Sequence, residues 1–122
     1  MLAIVVAAAG AVGAVGRFLL DGAVQDRVSG PFPCGTLTVN LVGSVILGVV
    51  AGVALDHAGA SHAQAVIGTG FCGGLTTWST VTWETVRLLE EGSSATAARF
   101  TAVNLVASVV AGAAGLAIGL AV

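Results

Sequence analysis

The sequence predicts an all-α integral membrane fold. One domain spanning residues 1–122 is expected to hold four transmembrane helices, the third broken mid-membrane. Three observations carry that expectation. Hydrophobic residues make up 57% of the chain and charged residues only 8%, against about 25% charged in soluble domains. Uncharged runs cover 35–55, 63–83 and 100–122, or 21, 21 and 23 residues, and a helix needs about 20 to cross ~30 Å of hydrocarbon. The middle run also contains GFCGGLTTWSTVTWE (70–84), crowded with glycine and hydroxyl side chains.

The first helix is expected over 2–20. It is apolar to residue 16, and Arg17 can snorkel near the helix end while Phe18 to Leu20 stay at the interface. A secretory signal would need a basic start and a soluble remainder. No Lys or Arg precedes residue 17, and three apolar runs follow. In the connection 21–33, Gly30, Pro31 and Pro33 end one helix and start the next.

The second helix is expected over 34–55, followed by a polar turn at 56–62. Asp56, His57 and His62 of that turn could hold a metal ion, although solvated loop histidines are far commoner. The third helix is expected over 63–90. Gly92 then reads as a helix stop, Ser93 or Ser94 as an N-cap, and the fourth helix covers 97–121. These connections are too short to hold a soluble domain, so function must reside in the membrane. Cys34 and Cys72 lack metal-site spacing and read as small packing residues.

VNLVGSV (39–45) recurs as VNLVASV (103–109). In each copy Asn and Ser stand four apart, on one helical face. An asparagine at membrane depth needs a partner or a wet cavity. For Asn40 the favoured reading is pore lining; for Asn104, with Ser108 beside it, pore lining and helix–helix glue stay open. The eighteen glycines suit close packing of helices, and four thin helices cannot enclose a pore alone, so an oligomer is expected.

Within 70–84, Gly73 and Gly74 each lower helix propensity by about 1 kcal/mol relative to Ala. Thr76, Thr77, Ser79 and Thr80 can bond main-chain carbonyls in competition with the helix. The expectation is a break at the double glycine. Such a break offers carbonyls to a cation and N–H groups to an anion.

GAVGAVGRF (10–18), GTLTVNLVGS (35–44) and GFCGGLTTWST (70–80) resemble the signature segments of the Fluc (CrcB) fluoride channel family, collinearly and over nearly the whole chain. The resemblance implies a four-helix subunit that pairs antiparallel, as a dual-topology dimer, in the cell membrane. It implies passive, selective efflux of fluoride and fluoride resistance. It also implies a structural sodium ion (Na+) at the dimer centre, held by carbonyls of Gly73 and Thr76. By the same resemblance the pore is lined by Asn40, Ser79 and Thr80, with Arg17 and Glu84 part of the pattern.

The chemistry agrees with that implication. Fluoride is strongly hydrated, so a pore must replace its water with donors such as the Asn40 amide and the Ser79 and Thr80 hydroxyls, held weakly enough for exit. Arg17 either attracts the anion or anchors the interface. Glu84 either belongs to the pore or pairs with Arg87. Where the family has two phenylalanines, this chain has Trp78 and Val81. Tryptophan keeps an aromatic edge and adds an N–H; valine keeps neither.

All four arginines, 17, 27, 87 and 99, lie on or beside one side of the expected topology. That bias favours both termini outside the cytoplasm. The partner is therefore either a second copy in a homodimer or a paralogous subunit of opposite bias in a heterodimer. One rival is a small multidrug-type proton-coupled transporter, which needs a carboxylate midway along its first helix, where this chain has Ala, Val and Gly. The other is a non-conducting structural subunit of a heterodimeric channel. No basic patch suggests nucleic acid, and no nucleophile–base pair suggests an enzyme.

Overall fold

In the computed structural model, which describes residues 1–56 and 60–122, the chain is helical with no strand among the described residues. Helix α1 spans Leu2–Gln25 and α2 spans Cys34–Asp56. Helix α3 consists of three abutting segments, Ser61–Ala63, a wider π-helical stretch Gln64–Cys72, and Gly73–Leu75. Helix α4 spans Ser79–Glu90 and α5 Ser94–Leu120. Three segments are long and apolar enough to cross a membrane: Leu2–Gln25, Cys34–Leu55 and Ser94–Leu120, with mean hydropathy of 2.0, 2.1 and 2.0. The remaining expected span, the third helix over 63–90, is divided between α3 and α4. His57 lies outside the described residues, and no metal-binding group of His, Cys, Asp or Glu occurs among the described ones.

Two boundaries differ from expectation. Helix α1 continues five residues past Leu20, and its end is held by an arginine. Arg17 attracts Asp21 one turn on, and the Arg27 guanidinium donates to the Ala23 carbonyl at the helix end. Helix α5 starts at Ser94 rather than 97 because the turn before it is tight. Gly92, at φ 78°, donates to Leu89 O and Ser93 donates to Leu88 O, the pair of bonds of a Schellman stop.

Packing is built on small residues. A Cβ on Gly48 would strike the Gly112 carbonyl, and one on Gly115 the Val45 carbonyl, so α2 and α5 lie backbone against backbone. Helix α1 meets α3 the same way at Gly13 against Phe71 and at Gly74 against Gly10. The larger apolar side chains point outward, Phe18 at 78% exposure, as suits a surface solvated by lipid. One enclosed apolar cluster joins Val81, Leu88, Ala97 and Phe100. Phe32 closes it edge-on to Phe100, ring centres 5.5 Å apart. Val81, at the second of the two positions where an aromatic is expected, is therefore a core residue of its own subunit.

Candidate functional site: a helix interruption capped by a buried asparagine

The helical path of α3 stops at Leu75. Thr76 is extended, with φ −83° and ψ 159°, and helix resumes at Ser79. The sequence places this departure at Gly73 and Gly74. Both are helical, because Gly74 is a packing residue that lets the Gly10 carbonyl approach, while the departure itself is fixed three residues later.

Thr77 is the hub of the interruption. Its N–H donates to Asn40 Oδ1 at 2.7 Å, and its carbonyl accepts from Asn40 Nδ2 at 3.0 Å. One carboxamide from α2 thus satisfies both main-chain groups of Thr77. The Thr77 hydroxyl serves the next helix: Oγ1 accepts from the Thr80 N–H at 3.1 Å, the bond an N-cap makes. It gives its own proton to Thr80 Oγ1 at 2.9 Å and lies 3.2 Å from Ser79 Oγ. Sequence reasoning counts Thr77 only as one hydroxyl among several. The available signal is its place three residues before Thr80, at a helix start.

The predicted site residues fall into two groups. Asn40, Asn104, Ser108, Thr76 and Trp78 line one cavity of about 290 Å³, whose walls hold no charged side chain. Asn104 is 1% exposed and Asn40 6%. Asn40 Nδ2 also donates to Asn104 Oδ1 at 2.9 Å, so both of its protons are engaged within the subunit. The expectation that the Asn40 amide is free for an ion needs correcting: among the described residues of this cavity, the donors buried without a hydrogen-bond partner are Asn104 Nδ2 and Ser108 Oγ. Trp78 is 56% exposed at the cavity wall, and Ser79 and Thr80 stand on the first turn of α4, tied to Thr77.

Two carbonyls are those a cation could use. The Thr77 N–H that an unbroken helix would give to the Gly73 carbonyl goes instead to Asn40, so the Gly73 oxygen is released. Gly73 is exposed, and a Cβ added there would meet nothing within 4 Å. The Thr76 carbonyl accepts from Arg17 at 3.4 Å, a long contact for a hydrogen bond. Arg17 thus approaches the interruption from α1.

Glu84 is not part of this cavity. It pairs with Arg87 at 2.8 Å and, with Asp21, Asp26, Gln25 and Thr36, lines a separate cavity of about 710 Å³. Arg87 in turn lies 3.7 Å from Glu91 and over the Trp83 ring.

Comparison with known proteins identifies the family of the chain. The family model described as "CrcB-like protein, Camphor Resistance (CrcB)" matches residues 4–120. The chain is 44% identical over 112 residues to "Fluoride-specific ion channel FluC 2" of Cutibacterium acnes, covering 91% of each chain. It is 48% identical over 114 residues to "Fluoride-specific ion channel FluC 2" of Mycolicibacterium paratuberculosis, covering 93% of this chain and 87% of the relative. To "Fluoride-specific ion channel FluC 1" of Frankia casuarinae it is 44% identical over 126 residues, 98% and 96% of the two chains. These relatives carry the names of channels, not of enzymes. A multi-pass membrane chain matched from residue 4 to residue 120, and by such relatives over most of their length, belongs to the CrcB family.

Proposed function

We propose that this chain is a subunit of a fluoride-selective channel that lets fluoride leave the cell passively and so confers fluoride resistance. The observation that supports it most directly is the pair of unpartnered buried donors, Asn104 Nδ2 and Ser108 Oγ, one turn apart on α5 and carried by residues that line one cavity. Buried donors without partners are costly, and a small anion stripped of water satisfies them. The hydroxyl proton of Thr80, left over once Thr77 donates to its oxygen, is a further donor next to Thr77, although Thr80 is not part of the cavity wall. All three are neutral, and the cavity carries no charged wall, so an anion is held without being trapped. Trp78, which lines the same cavity, carries an aromatic edge and an indole N–H.

The subunit works in an antiparallel dimer, with the interruption mid-membrane and a structural sodium ion at the dimer centre. The residues fit that ion. The released Gly73 carbonyl and the Thr76 carbonyl are hard oxygen donors, and Gly73 lies on the exposed face where a partner would meet it. When bound, the ion supplies positive charge that ties the two interruptions together. Arg27 and Arg99, on one side of the membrane with no arginine opposite, favour a paralogous partner of opposite bias over a second copy. The proton-coupled transporter reading has no comparable support, since Glu84 is already paired with Arg87.

The test is fluoride efflux from liposomes, read with an electrode, for the purified chain alone and with its paralogue. Fluoride release without chloride release supports the channel. No release in either case overturns it, and release only with the paralogue makes the chain half of a heterodimer.

A further inference from the structure

The amide of Asn40 has only one orientation open to it. Its two anchors on Thr77 are main-chain atoms, an N–H that must donate and a carbonyl that must accept. Neither can exchange roles, so Asn40 must turn Oδ1 to the N–H and Nδ2 to the carbonyl. Side-chain amides are usually ambiguous in this respect; here the backbone decides.

The consequence passes to the next residue. With Nδ2 fixed on the Thr77 side, its second proton points at Asn104, 2.9 Å away. Two NH₂ groups cannot face one another at that distance, so Asn104 must answer with Oδ1. Its own NH₂ is thereby turned away from Asn40, where it is buried and unpartnered beside the cavity that Ser108 also lines. Had the order been reversed, Asn104 would present a carbonyl oxygen to the cavity, which suits a cation rather than an anion.

We propose that Asn40 is a positioning residue and not an ion ligand: it transmits the fixed polarity of the Thr77 backbone to Asn104, so that the cavity is lined by donors. The inference rests on the channel reading for the identity of the anion. The role of the α2 asparagine is then to set the sign of the site. The asparagine repeat gains a division of labour, one copy holding the main chain and the other meeting the ion.

The test uses the full chain in lipid nanodiscs with ¹⁵N-labelled asparagine, titrated with sodium fluoride and, separately, sodium chloride. The expected result is that the Asn104 NH₂ signals move with fluoride and not with chloride. The Asn40 NH₂ signals stay fixed and exchange with deuterium more than tenfold more slowly. In Asn40→Asp the carboxylate accepts from Thr77 and forces Asn104 to turn its NH₂ inward. The Asn104 response to fluoride then disappears and efflux falls at least tenfold. Asn104→Leu keeps the slow exchange of the Asn40 proton held by the Thr77 carbonyl, while fluoride efflux falls. Movement of the Asn40 signals with fluoride in the unaltered chain overturns the proposal, whether or not the variants fold. So does an Asn104 response that survives in Asn40→Asp. Efflux with an unresponsive Asn104 overturns the positioning role alone, whereas no response and no efflux, with or without the paralogue, overturns the channel reading as well.

Discussion

Asn40 donates to Asn104 across 2.9 Å, joining residues 64 positions apart that hold the same place in the two copies of the repeated segment. The two do not contribute equally. Loss of the Asn40 side chain strands the Thr77 N–H, the Thr77 carbonyl and Asn104 Oδ1 in a buried setting, each worth about 1 kcal/mol or more. Loss of the Asn104 side chain strands one proton of Asn40. Asn40→Ala should therefore destabilise the chain by about 2–4 kcal/mol and Asn104→Ala by about 1 kcal/mol. The double variant should fall short of their sum by at least ~0.5 kcal/mol. Denaturant unfolding in detergent, followed by circular dichroism, measures all three.

The glycines divide sharply by what faces them. A Cβ on Gly48 meets the main chain of Gly112 and Leu116, whereas one on Gly22 meets nothing within 4 Å. Gly48→Ala must push α2 from α5 and should cost about 1–3 kcal/mol. Gly22→Ala should be neutral or gain up to ~1 kcal/mol from helix propensity. Thermal unfolding of the two variants beside the parent decides this, and equal losses would contradict the packing.

These features explain what is legible in the sequence. The spans are legible because they depend on local composition, and Gly92 because a Schellman stop favours a left-handed residue. The shared face of Asn and Ser is legible from spacing alone. The position of the interruption is not. Glycine reads as a local helix breaker, yet Gly74 serves an approach to Gly10, and the turn is lost where Thr77 is captured by Asn40, 37 positions away. Which amide remains free is illegible for the same reason, since it follows from the order of bonds among three helices. Composition ends α1 too early because Asp21 opens a charged stretch, which the helix carries through to an end held by Arg27 on the Ala23 carbonyl.

Glu84 is mostly buried beside Arg87, their side chains 14% and 39% exposed. Because Arg87 is partly solvated and shared with Glu91 and the Trp83 ring, the pair contributes modestly, about 1 kcal/mol. Arg87→Ala should lower stability by about that amount, and the loss should shrink when Glu84→Gln is added, since no charge is then left unpaired. Glu84→Gln should leave fluoride efflux uncoupled from any imposed pH gradient, as in the parent. A gradient-dependent flux abolished by Glu84→Gln would favour proton exchange instead.

The arginine bias predicts orientation. Arg27 bonds the end of α1, and Arg99 lies over the Phe32 ring, 5.4 Å from its centre, so both are fixed at the same end of the subunit. That end should face the cytoplasm. A C-terminal alkaline phosphatase fusion should be active and the matching green fluorescent protein fusion dark. Adding three lysines to the 56–62 connection while replacing Arg27 and Arg99 should reverse the two signals. Equal signals from the unaltered chain would instead mean that it inserts both ways.

Ser108 separates conduction from stability. Its hydroxyl is buried with no partner, so the folded subunit bears the cost of desolvating it and gains no bond in return. Ser108→Ala should therefore leave the unfolding free energy unchanged or raise it by up to about 1 kcal/mol. An anion passing the cavity loses one charge-assisted bond, worth about 1.5–3 kcal/mol, and efflux should fall roughly tenfold or more. Ser44, on the same face of the first repeat and lining the same cavity, is not among the buried groups without partners, so Ser44→Ala should lower efflux less. Paired electrode and unfolding measurements on the two variants check this. A Ser108→Ala chain that conducts normally would remove α5 from the ion path and return that role to the hydroxyls of Ser79 and Thr80.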